Sequence, residues 1–338
     1  MNERVKRPSP DLFMDAVWAF IRSSAIRAAI ELDVFTHIDG GAATAAAIAA
    51  KSGAAERGIR ILCDGLTVMG FLTKKKGSYA LTADTAAFLS RKSPAYMGDT
   101  IGFLQAPHML AAFADLTNAV RKGGHALTEK GNTETEAAAW VDFARSMGGL
   151  QRPVAVELAA MIEKKPGESF SVLDVAAGHG VYGITVAERF AKAKITALDW
   201  EPVLVVAREN AAKAGMLGRF KTIGGDAFRV RLGGPYDVVL LPNFLHHFNA
   251  EQCTVFLKRI EGVLKNNGVV LTFEHMPEED RTSPAPAVMF AMTMLATTPE
   301  GDAYTVAEYR KMFADAGISR TEVRDLSVAR GRALVSRK

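Results

Sequence analysis

The 338 residues carry 41 basic and 37 acidic side chains, for a formal net charge of +4, and 49% of them are hydrophobic. A chain of this length and composition buries a sizeable core and exceeds the usual single-domain size, so two domains are expected. The charges are dispersed rather than gathered in blocks, which describes a mixed solvated surface and not a nucleic-acid footprint.

The opening, "MNERVKRPSPDLFMDAVWAF", holds no uninterrupted apolar stretch long enough for a signal peptide or a membrane span. From Asp11 apolar residues recur at helical spacing until Gly40 and Gly41 stop the pattern. "TAAAIAAKSG" takes Thr44 as its N-cap and closes on Gly53, and "AERGIRILCDGLTVMGF" sets Ile59, Leu62, Leu66 and Met69 on one face. "FLTKKKGSYALT" is two short alternating runs around Lys-Gly-Ser, a predicted hairpin. Helix, short helix, helix and hairpin is the element order of a winged helix. Its second helix has few basic residues and no base-reading amides, so packing or dimerisation is preferred over DNA binding. Lys74, Lys75 and Lys76 in the hairpin are read as solvated. Cys63 and Cys253 stand far apart with no CxxC or Cys/His cluster, which argues against a disulfide framework or structural zinc and fits a reducing, cytoplasmic setting.

Between about Ser90 and Lys165 the pattern is again helical, broken at "RKGGHALTEKGNTE". The following helix, "TEAAAWVDFARSMGGL", places Trp140, Phe143 and Met147 at spacings of three and four, most often a core stripe. From Glu168 strands and helices alternate, the signature of a doubly wound parallel sheet. "SVLDVAAGHGVYG", "KITALDW", "FKTIGGDAF", "YDVVLLPN" and "NGVVLTFEHM" supply five strands, and "RTEVRDLSVARGRALVSRK" a closing pair.

"GHGVYG" satisfies GxGxxG at Gly178, Gly180 and Gly183, a pattern shared by dinucleotide and nucleoside binders. Asp174 discriminates between them. A buried acid there repels a pyrophosphate but attracts an ammonium or sulfonium, such as S-adenosylmethionine carries. Asp199 ends the next strand, where a carboxylate can take both ribose hydroxyls, with the aromatic face of Trp200 beside it for adenine. Asp226 ends the third strand, near the expected adenine amino group.

"LDVAAGHG", "ALDW", "GGDAF", "HHFNAEQC" and "NNGVVLTFEHMPEED", in that order over almost the whole chain, resemble the class I S-adenosylmethionine-dependent small-molecule O-methyltransferases. The resemblance implies an α/β fold: a Rossmann-like doubly wound sheet at residues 166–338, behind an N-terminal all-helical winged-helix dimerisation domain at 1–95. A helical connector bearing substrate-pocket helices would fill 96–165. It implies S-adenosyl-L-methionine held by Asp174, Gly178, Gly180, Asp199, Trp200, Asp226 and Ala227, with Ala176, Gly225, Phe228 and Asn243 completing the set. Ala176 or Ala177 stands where the family usually has a further glycine. Counting back from Cys253 places the family's general-base histidine on His246, and Glu274 matches the acid that orients it. Imidazole suits the removal of a hydroxyl proton near neutral pH. A second flanking acid of the family falls at about Ala303. The acceptor pocket is expected from Phe143, Met147, His247, Met289, Phe290, Thr293 and Met294, an adaptable apolar wall for a phenol or heterocycle. Asn249 reads as the N-cap of the helix after the histidines.

A metal on His246, His247, Glu274 and His275 is disfavoured because adjacent histidines rarely point the same way. The alternative functions are C- or N-methyl transfer, a non-methylating reaction of the same cofactor, and a ligand-sensing regulator. Phe13, Val17, Phe20, Ile21, Ile26, Ile30 and Phe35 exceed what one small winged helix needs for its own core, so a homodimer burying well over roughly 2,000 Å² is expected.

Overall fold

The computed structural model describes residues 8–129, 131, 138–165, 167–327 and 331–338. The start of the helix expected from Thr135 and the link between the two closing strands lie outside the described residues. The chain divides into two compact units, Met1–Ile101 and Gly102–Lys338.

The first unit runs α1 (Asp11–Glu31), α2 (Val34–Asp39), α3 (Ala45–Ser52), α4 (Glu56–Val68), β1 (Leu72–Lys75), β2 (Ser78–Leu81) and α5 (Ala83–Leu89). Thr44 caps α3 by accepting the Ala47 N–H, and Gly53 ends that helix in the left-handed conformation. β1 and β2 pair antiparallel through a turn in which Lys76 and Gly77 both have positive φ, the geometry that matches strand twist. Val34, Phe35, Ile48, Ile59, Leu66, Leu72 and Tyr79 form the core. Asp64 takes Arg60, Lys74 and the Tyr79 hydroxyl, so two of the basic groups in the hairpin and second helix are already paired. Phe13, Val17, Phe20 and Ile21 on α1 are exposed, whereas Ile30 and Phe35 are buried.

The boundary between the units falls within α6 (Thr100–Leu104), and the second unit continues with α7 (Pro107–Ala114), α8 (Leu116–Lys122), α9 (Ala138–Ser146) and α10 (Gly148–Ala160). Then come β3 (Phe170–Val175), α11 (Val181–Arg189), β4 (Ala193–Asp199), α12 (Glu201–Lys213), β5 (Phe220–Gly224), β6 (Tyr236–Leu240), α13 (Ala250–Val263) and β7 (Leu264–Glu274). α14 (Ala285–Thr297), α15 (Val306–Asp315), β8 (Arg320–Asp325) and β9 (Arg332–Arg337) complete it. Among the described residues the sheet has the order β5-β4-β3-β6-β7-β9-β8. The first five strands are parallel and the last two pair antiparallel. Side chains alternate between two buried faces, so the strands are apolar throughout rather than every second residue. Val172 and Ile195 pack with α10, α11 and α12, while Leu173, Leu198 and Val239 pack with α13 and α15. The strand order reverses between β3 and β6, and a ligand crevice belongs at the carboxyl ends of such strands.

Candidate active site

β3 delivers Asp174 to the crevice and hands over to a loop whose backbone does the turning. Ala176, Gly178 and Gly180 all have positive φ, at 50°, 56° and 72°. Gly183 is needed for space: a Cβ there would stand 2.6 Å from Ile195 and 2.9 Å from Asp174 Oδ2, so glycine lets α11 sit against the sheet. Asp174 Oδ2 accepts the Gly183 N–H at 2.9 Å. Its Oδ1 is buried with no hydrogen-bond partner, and burial pushes the carboxyl up to about 8. An unsatisfied buried carboxylate oxygen calls for a cation.

Asp199, at the end of β4, holds the same loop. Oδ2 accepts the Gly178 N–H and Oδ1 the Trp200 N–H, each at 2.7 Å, and burial raises this carboxyl to about 6. Each oxygen keeps a second lone pair for a sugar hydroxyl. Asp226 accepts the Phe228 N–H at 2.9 Å and pairs with Arg229 at 3.2 Å, closing the turn that follows β5 through Gly225 and Ala227. The Phe228 ring packs among Phe244, Phe248 and Phe256, so that side chain belongs to the core. Trp200 packs with Ala144, Val203 and Val206 at the N-terminus of α12.

Asn243 follows β6 with φ of 52°, a left-handed conformation that asparagine tolerates better than most residues. Its side chain reaches Gln151 of α10 at 3.2 Å and the Tyr182 hydroxyl at 3.3 Å, and Tyr182 donates to Gln151 at 2.6 Å. The sequence singled out Asn243 and gave no place to the other two. Tyr182 lies inside the glycine motif, a usable signal; Gln151 is 92 residues from Asn243 and offers none.

A short 3-10 turn, Leu245–His247, presents the two histidines. α13 begins directly after it with a capping box between Asn249 and Gln252, which fixes where the turn must end. Glu274, the last residue of β7, accepts the backbone N–H groups of Phe244 and Leu245 on Oε1, both at 3.0 Å. His246 Nδ1 lies 2.5 Å from Glu274 Oε2, and His246 Nε2 lies 3.1 Å from His247 Nε2. Burial pushes Glu274 up to about 8, His246 down to about 3 and His247 well below its ordinary value, so both imidazoles are neutral. Gly301 makes the backbone of this turn possible, since a Cβ there would run into the His246 carbonyl. The segment that carries it brings no second acid to the ring: Ala303 is buried, and Asp302 pairs with Arg281 at 3.4 Å.

Ring contacts run from the glycine loop to the histidines. His179 stacks on Phe143 at 6.2 Å, Phe143 meets Trp140 at 5.8 Å, and Trp140 meets His247 at 5.3 Å. Phe290 of α14 closes the run against His246 at 4.8 Å and His275 at 4.1 Å. Trp140, taken as core from its spacing, does pack against the Ala144, Val203 and Val206 cluster, and its ring also meets His247. Met147 and Met294 are buried and Thr293 is half-buried. Met289 is 57% exposed, because the residue before Phe290 on a helix points about 100° away; it does not join the others. Among the described residues no group of three His, Cys, Asp or Glu side chains could hold a metal.

A doubly wound sheet with a glycine loop, acids at successive strand ends and a buried acid–imidazole pair defines a nucleoside-cofactor enzyme of the Rossmann-like class. Residues 113–319 match the O-methyltransferase domain and residues 14–91 the O-methyltransferase dimerisation domain, so the chain belongs to the O-methyltransferase family and its first unit is a dimerisation domain. It is 29% identical over 329 residues to the 3-hydroxy-5-methyl-1-naphthoate 3-O-methyltransferase of Streptomyces sahachiroi, covering 95% of this chain and 92% of that one. The crystal structure of a candidate O-methyltransferase from Nostoc punctiforme PCC 73102 is similar with a TM-score of 0.94 and 44% identity, over 98% of this chain and 100% of that one. The human N-acetylserotonin methyltransferase in complex with S-adenosylmethionine shares the fold at a TM-score of 0.85 and 22% identity, over 100% of this chain and 99% of that one. The donor set fits S-adenosylmethionine: an orphaned buried carboxylate oxygen for a cation, and a glycine loop with room for close backbone approach.

Proposed function

We propose that this enzyme methylates a hydroxyl on a small aromatic molecule, a phenol or heterocycle, with His246 as the proton-accepting centre and Glu274 holding it. The observation that carries this reading is the buried Glu274–His246 pair, 2.5 Å apart, standing beside Phe290 and His247 at the ends of the parallel strands. Bound S-adenosylmethionine supplies an electrophilic methyl group on a sulfonium.

The protein's own tasks are to hold, orient and deprotonate. Asp174 and the Gly178–Gly180 loop hold the amino-acid end, and Asp199 the ribose. Phe143 lies over the loop, 3.8 Å from where a Gly178 Cβ would stand, and with Trp140 and Phe290 gives a flat acceptor aromatic surfaces to rest on. Glu274 fixes the His246 ring so that its lone pair faces away from the carboxylate. Proximity within this frame supplies most of the rate. A dimerisation domain supports assembly as a homodimer, and two buried free thiols, Cys63 and Cys253, suit the cytoplasm.

The test is a screen of phenols and hydroxy-heterocycles with S-adenosylmethionine, read by product mass and position of the new methyl. Gain of one methylene on oxygen, lost roughly 10²–10⁴-fold in His246→Ala, is expected for a general base. Methylation on carbon or nitrogen would overturn the assignment of acceptor atom.

A further inference from the structure

Of the four ring nitrogens of His246 and His247, three are engaged: His246 Nδ1 with Glu274, and the two Nε2 atoms with each other. His247 Nδ1 is buried and has no hydrogen-bond partner. With the rings as they stand, a proton can enter the pair only at that atom. An unsatisfied buried acceptor costs about 1–3 kcal/mol, which a ligand hydroxyl would recover.

We propose that Glu274, His246 and His247 form a proton relay in which the acceptor proton enters at His247 Nδ1 and reaches His246 through the Nε2 contact. The relay rests on the reading of the enzyme as a methyltransferase acting on oxygen. With Glu274 in its carboxylate form, the tautomers from which the relay starts follow from the donors present. Glu274 Oε1 is taken by two backbone N–H groups, so Oε2 accepts from His246 Nδ1–H. His246 Nε2 is then a lone pair, and His247 Nε2–H donates to it.

During transfer the acceptor O–H bond breaks and its proton goes to His247 Nδ1. The Nε2 proton of His247 passes to His246 Nε2, and the Nδ1 proton of His246 passes to Glu274 Oε2. The freed oxygen pair forms the bond to the methyl carbon as the carbon–sulfur bond breaks, so the sulfonium and carboxylate charges vanish together. Both imidazoles end neutral with their tautomers exchanged, and the proton rests on a carboxylic acid. Burial favours that store over an imidazolium, since it raises Glu274 and lowers both histidines. The other titratable groups set against the chain are His275, Cys253, Tyr309 and Tyr182, and burial keeps each of them neutral near pH 7.

Nitrogen NMR of full-length enzyme labelled at histidine, with S-adenosylhomocysteine bound, reads the relay without an acceptor. The expected result is that His246 and His247 stay neutral and exchange tautomers together, with one midpoint, as Glu274 takes up its proton. Glu274→Gln, whose amide donates to His246 Nδ1, should lock both rings in the exchanged form. Fixed tautomers, or an imidazolium on His246 to which His247 is indifferent, would overturn the relay.

Turnover supplies an independent arm, using 4-methylphenol, 2-naphthol and 8-hydroxyquinoline as probes. His247→Phe keeps a ring against Trp140, and His247→Asn keeps a polar atom near Nδ1 that cannot pass a proton on. Each should lose roughly 10²–10³-fold in kcat, with cofactor affinity within about twofold and, for the Asn variant, KM within about threefold. A kcat kept within about threefold in His247→Phe would return the whole base role to His246 and sink the proposal. If wild type methylates none of the probes, the acceptor reading is at fault, and the NMR result still decides the relay.

Discussion

Asp174, near the end of β3, and Glu274, at the end of β7, are both shielded from solvent, and burial pushes both carboxyls up to about 8. They differ in what stands opposite. Asp174 accepts one N–H, from Gly183, and leaves Oδ1 unpartnered. Glu274 fills one oxygen with two backbone N–H groups and the other with the His246 ring. Equal displacement of two acids therefore goes with unequal work. The open oxygen is what the proposed cation seat rests on; the filled one is what the proposed proton exchange with His246 rests on.

The sharpest way to break this comparison is to remove each charge in turn. Asp174→Asn keeps an acceptor for Gly183 and should weaken S-adenosylmethionine binding roughly a hundredfold, about 2.7 kcal/mol, in calorimetry. Glu274→Gln should leave that affinity within about twofold while kcat falls roughly 10²–10³-fold. If both variants lose the same quantity, the two acids do one job and the contrast fails.

A second test uses pH. A carboxyl whose folded-state pKa lies above its unfolded value stabilises the fold below the unfolded value and loses that contribution as pH rises through the folded one. For Asp174 the window runs from about pH 4 to about pH 8. The unliganded enzyme should therefore lose stability on the order of 2 kcal/mol or more across it. Asp174→Asn should flatten part of the slope, and so should saturating S-adenosylmethionine in wild type. A Tm that climbs over this interval would contradict both pKa directions.

Gly301→Ala sharpens the acceptor side alone. Its methyl group would displace the His246 carbonyl, so a loss of about 1–3 kcal/mol in stability and roughly tenfold in kcat is expected, with cofactor affinity unchanged. The smallest effect belongs to the cofactor loop. Ala176 holds φ of 50° without being glycine, so Ala176→Gly should relieve strain and raise stability by up to about 1 kcal/mol in thermal unfolding. A destabilised variant would mean that the alanine methyl packs usefully against its surroundings.

Much of the cofactor end was legible because its signals are local. A strand, a glycine loop and a helix start occupy one short stretch, and Asp174, Gly178 and Gly180 can be read without knowing what crosses over them. Thr44, Asn249 and the hairpin at Lys76–Gly77 were legible for the same reason, each being a cap or turn fixed by its own neighbours. The acceptor end was only half legible. His246 and Glu274 could be matched by family pattern, but their contact joins residues 28 apart, and the Nε2–Nε2 contact of the histidine pair depends on a turn conformation that spacing does not encode. Trp140 does pack as core, but helical period alone could not show that the same ring also meets His247. Met289 and Phe290 looked alike because both are large and apolar; one step of helix rotation separates them.

Leu12, Phe13 and Phe20 stand 85%, 67% and 65% exposed on α1, whose buried residues are Ala29 and Ile30 in its last turns. In a dimerisation domain that surface is covered only when a second copy is at hand, so the free energy ordering the N-terminal turns is set by mass action. The thermal midpoint of the enzyme should therefore climb with its own concentration. A chain released at low copy number carries Leu12, Phe13 and Phe20 bare, waiting on an encounter to cover them.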